Sequence, residues 1–226
     1  LMDHLPLLLD LSGRKVVIFG GGIVGERKAR LFSQYAEVTV ASLAFSPGLQ
    51  EMAEEGAVDL VEADLSRGAD DLLRDAFIAI PATSDRDLNL ELEEKAEKMG
   101  VLVNRVDGVG EVVVPSVIRR NPIVVAISTL GESPALSKRL RMRIEEVLEG
   151  GYVEMALLLG EMRGVLKGRV SDQAERKRIL WEIISDEEVW RLLGDSYEKA
   201  YKRAGEHLPP DERDSLDAGD PQEGQH

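Results

Sequence analysis

Along the first half of the chain, short blocks of apolar residues recur between segments of helical period. Val16 to Phe19 is wholly apolar, and Glu37 to Ala41, Val58 to Val61, Phe77 to Ile80 and Val101 to Val103 are further runs of strand length rich in β-branched residues. Between them, helices are predicted from near Val24, over about Pro47 to Glu55, around Asp70 to Leu73, and over Asp87 to Lys98. The first carries Ala29, Leu31, Phe32 and Tyr35 on one face beside Glu26, Arg27, Lys28 and Arg30. Apolar strands alternating with helices indicate a parallel sheet buried on both faces, so the predicted class is α/β with a Rossmann-type sheet. Ahead of it, the apolar segment Leu5 to Leu11 is expected to pack across the sheet edge before Ser12-Gly13 turns into the first strand.

The rhythm changes near Asp107. Val112 to Val114 and Ile123 to Ile127 are β-rich runs separated by Pro115-Ser116 and an Arg119-Arg120-Asn121-Pro122 turn, and they are expected to pair antiparallel outside the main sheet. Ser133-Pro134 is a helix cap followed by a good first helical residue, and Leu136, Leu140, Ile144, Val147 and Leu148 form a stripe beyond it. From Tyr152 to about Arg203 the pattern is helical, with Asp172/Glu175 and Ser185/Glu188 at capping-box spacing. Ile179, Leu180, Ile183, Ile184, Val189, Leu192 and Leu193 supply apolar faces there, and Trp181 and Trp190 are expected core anchors. The expected organisation is a nucleotide-binding domain over 1–113, a segment over 114–150, a small C-terminal helical domain over 151–206, and a disordered acidic tail over 207–226.

Composition narrows the chemistry. The 226 residues carry a net charge of −14, which opposes general nucleic-acid binding but leaves room for a local basic pocket. No apolar run approaches the roughly 18 to 20 residues of a membrane span, and the N-terminus lacks the basic and apolar regions of a signal peptide; a cytoplasmic, non-membrane protein is expected. With no Cys, thiolate metal sites and cysteine nucleophiles are excluded, and the three His, at 4, 207 and 226, form no local cluster, so no metal ligands are assigned.

Candidate chemistry centres on Gly20-Gly21-Gly22-Ile23-Val24-Gly25. Gly20, Gly22 and Gly25 fill the fixed places of G-x-G-x-x-G between a strand and a helix, where a pyrophosphate approaches the backbone and the helix N-terminus offers free N–H groups. Ligands of such sheets sit beyond the carboxyl ends of the strands. Ser42-Leu43-Ala44, Pro81 to Asp85 and Asn104 to Asp107 lie there too. The acidic residue that commonly holds the adenosine ribose is missing, since Ala41-Ser42 ends the second strand, and no Arg stands there for a 2′-phosphate. Taken alone, Asp107-Gly108 is an ordinary turn dipeptide, and Lys138, Arg139, Arg141 and Arg143 a solvated helix face.

MDHLPLLLDLSGRKVVIFGGGIVGERKARLF, followed by VTVASLAFSP, IAIPATSDRDLN, VNRVDGVGEVVVPSVI and VAISTLGESPALSKRLR, resembles the precorrin-2 dehydrogenases of sirohaem synthesis. The match runs in order from Met2 to about Arg143, and more loosely to about Leu193. The resemblance implies NAD-dependent oxidation of precorrin-2 to sirohydrochlorin, with Fe²⁺ insertion to give sirohaem in some members. It implies a homodimer whose subunit contact lies over about Val114 to Leu148. The chain ends too soon for the methyltransferase domain of the fused synthases, so precorrin-2 is expected to come from another protein.

Carried over by the same resemblance, Gly20, Gly22, Ile23, Val24, Gly25, Leu43 and Ala44 would contact the dinucleotide, with Thr83 and Asn104 lining the site. Asp107 would be the catalytic acid–base residue of the N-x-x-D motif. Arg105, Arg119, Arg120, Lys138, Arg139 and Arg141 would meet the carboxylates of the substrate. A dehydrogenase without chelatase activity, or a dimer that senses NAD(H) without chemistry, are the alternatives.

Overall fold

A computed structural model describes residues 4–210. Two compact units divide near Val114: one runs to that residue and takes in Leu130–Glu132, and the other holds Pro115–Thr129 and the chain from Ser133.

In the first unit, β1 (Lys15–Gly21), β2 (Glu37–Phe45), β3 (Asp59–Glu62), β4 (Ala76–Pro81) and β5 (Leu102–Val103) form a parallel sheet in the order β3-β2-β1-β4-β5. Helices α1 (Ile23–Phe32), α2 (Pro47–Glu54), α3 (Asp70–Leu73) and α4 (Arg86–Lys98) connect them. Alternation along the strands splits the core into two layers. Val16, Ile18, Val38, Val40, Ile78 and Ile80 face Ala29, Phe32, Leu49 and Met52 on one side. Val17, Phe19, Ala41, Ala79 and Val103 face Leu73, Leu92 and Ala96 on the other. Burial on both faces is why these strands lack a polar stripe.

Two expectations in this unit are corrected. The strand predicted to stop at Ala41 continues to Phe45, because a register shift between Phe19 and Gly21 lets Gly21 pair with Phe45. The leader does not pack as expected either: Leu5, Leu7, Leu8 and Leu9 are exposed, and Leu11 is the residue that packs on the core.

The second unit opens with a hairpin of β6 (Ser116–Arg120) and β7 (Ile123–Ile127), paired from Ser116↔Ile127 to Arg120↔Ile123. The antiparallel pair forms, but its first strand is 116–120 and not Val112 to Val114. Pro115 cannot donate to a ladder, and Val112 instead donates its N–H to the Val103 carbonyl. Arg119 and Arg120 therefore belong to β6, and only Asn121-Pro122 separates the strands.

Ser133 caps α5 (Pro134–Leu148), its Oγ accepting from the Leu136 N–H at 3.2 Å, and the Thr129 Oγ1 accepts from the Ser133 N–H at 3.0 Å. The α5 stripe is open in the single chain: Leu136, Leu140 and Val147 are 50%, 41% and 58% exposed.

The helical stretch is broken into α6 (Tyr152–Arg169), α7 (Gln173–Ser185), α8 (Glu187–Leu193) and α9 (Tyr197–Gly205). Met155, Leu158, Met162, Leu166, Ile179, Ile183 and Val189 form their core. Asp172 caps α7 as its spacing predicts. At α8 the cap is Asp186 in place of Ser185, and this carboxylate also accepts from Arg203 at 2.8 Å and pairs with the His207 ring at 2.9 Å. Burial works to raise Asp186, but His207, the Glu188 N–H and Arg203 together hold its carboxyl below the ordinary value.

Trp181 is 70% exposed and anchors no core, whereas Trp190 stacks edge-on against Tyr152 and donates to the Ile184 carbonyl. Leu208, assigned by composition to the tail, is buried among the helices. The remainder of the expected tail, 211–226, lies outside the described residues. Among the described residues no helix is long and apolar enough to cross a membrane.

Candidate functional site

The glycine turn joins β1 to α1 at the carboxyl edge of the sheet. Gly20 has φ +119, and a Cβ on it would stand 2.5 Å from the Ala82 carbonyl oxygen. On Gly25 it would stand 2.0 Å from the Gly20 oxygen, so only glycine lets α1 lie this close to the strand end. Gly22 differs. It is the extended N-cap of α1 without a side-chain cap, and nothing lies within 4 Å of the place its Cβ would take. The first turn of this ten-residue helix thus has no side-chain cap among the described residues and begins on exposed residues, Gly22 to Val24, which fits a pyrophosphate.

Two glycines outside the three-glycine pattern are also crowded, Gly21 by backbone and Gly48 by the movable ends of side chains. A Cβ on Gly21 would be 2.1 Å from the Ala44 oxygen, because the lengthened β2 passes beside the turn. Gly48 leaves room for Glu26, whose carboxylate accepts from Ser46 at 2.7 Å and from Arg30 at 2.9 Å. The Ser46 hydrogen bond first, then Arg30, hold Glu26 below the usual carboxylate range. Nothing in the local sequence at 21 or 48 announces either constraint, because the atoms that impose it come from another strand or helix.

Of the cofactor candidates, Ile23 and Leu43 are exposed at 85% and 66%, large apolar side chains standing open at the sheet edge. Val24 and Ala44 are exposed beside them. Thr83 has its hydroxyl engaged, donating to Asn89 Oδ1 at 2.7 Å and lying 2.9 Å from the Asp85 carbonyl. Asn104 is 3% exposed and its amide is spent twice: Oδ1 accepts from Lys28 Nζ at 2.7 Å and Nδ2 donates to the Val112 carbonyl at 2.7 Å. Asn104 therefore pins the loop that follows β5. Burial, then the adjacent Arg27 charge, pushes the Lys28 ammonium below its ordinary value. This α1 lysine, which reads in the sequence as helix surface, ties the glycine-turn helix to the Asp107 loop.

Asp107 is exposed at the tip of that loop, beside Gly108 with φ +144. It stands beyond β5, two strand spacings from β1, or roughly 10 Å across the sheet. Next to it Arg105 is already committed, at 3.0 Å from Glu93 and 3.5 Å from Glu97 on α4. Glu93 is 7% exposed. Its carboxyl is pushed up by burial, with Arg105 opposing and the Glu97 and Asp107 charges adding to the rise.

Arg105 thus balances a buried charge. Its replacement by Met is expected to cost about 1 to 2 kcal/mol at pH 7, less than for a fully buried pair because the Arg105 side chain is 37% exposed and screened by water. Glu93, its pKa raised further without the guanidinium, takes up a proton more readily in the folded state, so the deficit shrinks as pH falls through that value. Urea unfolding of wild type and Arg105→Met at pH 7 and pH 5 checks this; an equal deficit at both would refute it.

The other expected cations lie in the second unit. Arg120 and Arg141 share Glu145, at 3.4 Å and 2.7 Å. Arg119 lies exposed on β6 and is engaged within the protein. Lys138 and Arg139 are exposed on the first turns of α5 and make no side-chain ion pair among the described residues. The glycine turn, Leu43, Thr83, Asn104, Arg105 and Asp107 share the first unit; these five cations do not.

Residues 7–116 match the model of a family described as putative NAD(P)-binding. Over 206 residues the chain is 52% identical to a precorrin-2 dehydrogenase of Methanosarcina barkeri, covering 89% of this chain and 92% of that protein. It is 35% identical over 210 residues to a siroheme synthase of Salmonella schwarzengrund, covering 92% of this chain but only 45% of that longer protein. Among solved structures, that of SirC, a precorrin-2 dehydrogenase, is similar with a TM-score of 0.69 and 25% identity, covering 90% of this chain and 100% of the other.

Proposed function

The chain belongs to the precorrin-2 dehydrogenase family, and from that footing we propose that it oxidises precorrin-2 to sirohydrochlorin with NAD as acceptor, as a homodimer. The observation that carries the reading is the glycine turn and the Asp107 loop on one sheet edge, tied together by the 2.7 Å bond from Lys28 to Asn104. NAD bound at the turn supplies the acceptor for a hydride. The α1 N-terminus and Gly22 hold its pyrophosphate, and Ile23 and Leu43 cover apolar parts of the dinucleotide.

Asp107 takes the proton that leaves the macrocycle as the hydride departs, so the substrate loses two hydrogens and gives sirohydrochlorin, NADH and H⁺. Its exposure suits a base that must meet a large substrate. Of the cations that the resemblance assigns to the carboxylates of the substrate, Lys138 and Arg139 keep their charges without an ion pair among the described residues, while Arg105, Arg120 and Arg141 are engaged with glutamates. The exposed apolar stripe of α5, with Val117 of β6 at 41% exposure, supports a subunit contact over this segment.

The test is anaerobic: precorrin-2 and NAD are supplied and the NADH and sirohydrochlorin spectra followed, then Fe²⁺ or Co²⁺ is added. NADH should appear in step with sirohydrochlorin. A protein that binds NAD but forms no NADH from precorrin-2 is the NAD(H)-sensing dimer and not the enzyme. Metal insertion no faster than without protein assigns chelation elsewhere.

A further inference from the structure

The second strand ends without the carboxylate that usually receives the adenosine ribose. Val38 and Val40 face the α1–α2 layer, and alternation puts Ser42 on that face, where the acid would stand. No Asp or Glu occurs in β2 after Glu37.

The neighbouring strand supplies one. β3 runs parallel to β2 with Val40↔Leu60, Ala41↔Val61 and Ser42↔Glu62. Paired residues of parallel strands leave the sheet on the same side, and the packing agrees: Leu60 joins the layer of Val40, and Val61 the layer of Ala41. Glu62 therefore leaves the sheet on the side of Ser42, one strand spacing or about 4.8 Å away. It is the last residue of β3, at the carboxyl edge, and it is exposed.

Its carboxylate has no side-chain hydrogen bond or ion pair among the described residues. The next acid, Asp64, is consumed locally, accepting from Ser66 Oγ at 2.6 Å and pairing with Arg67 at 3.0 Å. The extra methylene of Glu over Asp lengthens its reach from β3 towards the place beyond β2.

We propose that Glu62, placed beside Ser42 by the β2–β3 register, receives the adenosine ribose hydroxyls and sets the preference for NAD over NADP. This rests on the NAD reading above. A carboxylate accepts from both vicinal hydroxyls, while its charge repels a 2′-phosphate. The missing β2 acid is thereby relocated one strand outward.

Isothermal titration calorimetry with NAD, NADP and 2′-deoxy-NAD on wild type, Glu62→Gln and Glu62→Ala tests the assignment without turnover. Wild type should bind NAD at least about tenfold tighter than NADP and than 2′-deoxy-NAD. In Glu62→Gln and Glu62→Ala, NAD should weaken about tenfold, NADP should tighten, and the gap between NAD and 2′-deoxy-NAD should close. Variants that keep the wild-type affinities for all three ligands overturn the role of Glu62 while leaving NAD binding intact. A wild-type protein that binds neither NAD nor NADP, or prefers NADP, overturns the NAD reading itself and the proposal with it.

Discussion

Asp107→Ala is expected to lower the rate of NADH formation from precorrin-2 by about 10²- to 10⁴-fold, the usual worth of a positioned general base, while NAD affinity stays at its wild-type value. The split follows from what holds the loop. Its beginning is fixed by Asn104, whose N–H donates to the Ala79 carbonyl and whose amide bridges Lys28 and Val112. Asp107 itself is exposed and makes none of these contacts, so its removal leaves the loop and the glycine turn standing. Single-turnover kinetics with calorimetric NAD binding separates the two readouts. Full activity in Asp107→Ala would reduce Asp107-Gly108 to the turn dipeptide that it resembles.

Gly25→Ala should abolish nucleotide binding and destabilise the first unit by about 3 kcal/mol. Its Cβ would meet the Gly20 oxygen at 2.0 Å, a backbone atom with little freedom to retreat. The chain around Gly20 is tied on both sides, with the Phe19 carbonyl accepting from Ala82 and the Gly21 carbonyl from Ser46, each at 2.8 Å. Gly22→Ala provides the contrast. At φ −85 with nothing within 4 Å, the added methyl should leave the melting temperature unchanged, yet intrude where the pyrophosphate approaches and weaken NAD. Thermal unfolding and calorimetry on both variants check the pair, and equal stability of Gly25→Ala and wild type would refute the packing argument.

Much of the first unit was legible from local pattern. The apolar blocks predicted β1, β3 and β4 within a residue or two, and the glycines marked the strand-to-helix turn. The errors share a cause. β2 runs past Ala41 because it takes up extra residues between its pairings with Phe19 and Gly21 and then rejoins the ladder at Phe45, a pairing visible only with β1 in place. Val112 to Val114 have strand composition but no ladder, since the hairpin register is set beyond Pro115. Leu5 to Leu9 are apolar and exposed, and Trp181 likewise. Hydrophobicity reports a tendency to be covered and does not identify the cover.

The candidate site divides in the same way. The resemblance named Gly20, Gly22, Gly25, Leu43 and Asp107, and the structure places them on one edge. It also turns Asn104 and Arg105 inward, towards Lys28 and Glu93. In the sequence both look like free polar groups after a strand, because their partners stand on helices α1 and α4.

By itself, then, the sequence determined the alternation of strands and helices in the first unit, the α/β class, the nucleotide turn and the caps at Ser133 and Asp172. Each depends on residues within a few positions of one another, where backbone geometry and side-chain period suffice. Only the tertiary structure decided which charges are spent and which are open. That Lys28 serves Asn104, that Arg105 neutralises Glu93, and that Glu62 stands beside Ser42 follow from the strand order β3-β2-β1-β4-β5 and its registers. Those juxtapositions join residues far apart in the chain through packing and ladder hydrogen bonds, and no local pattern encodes them.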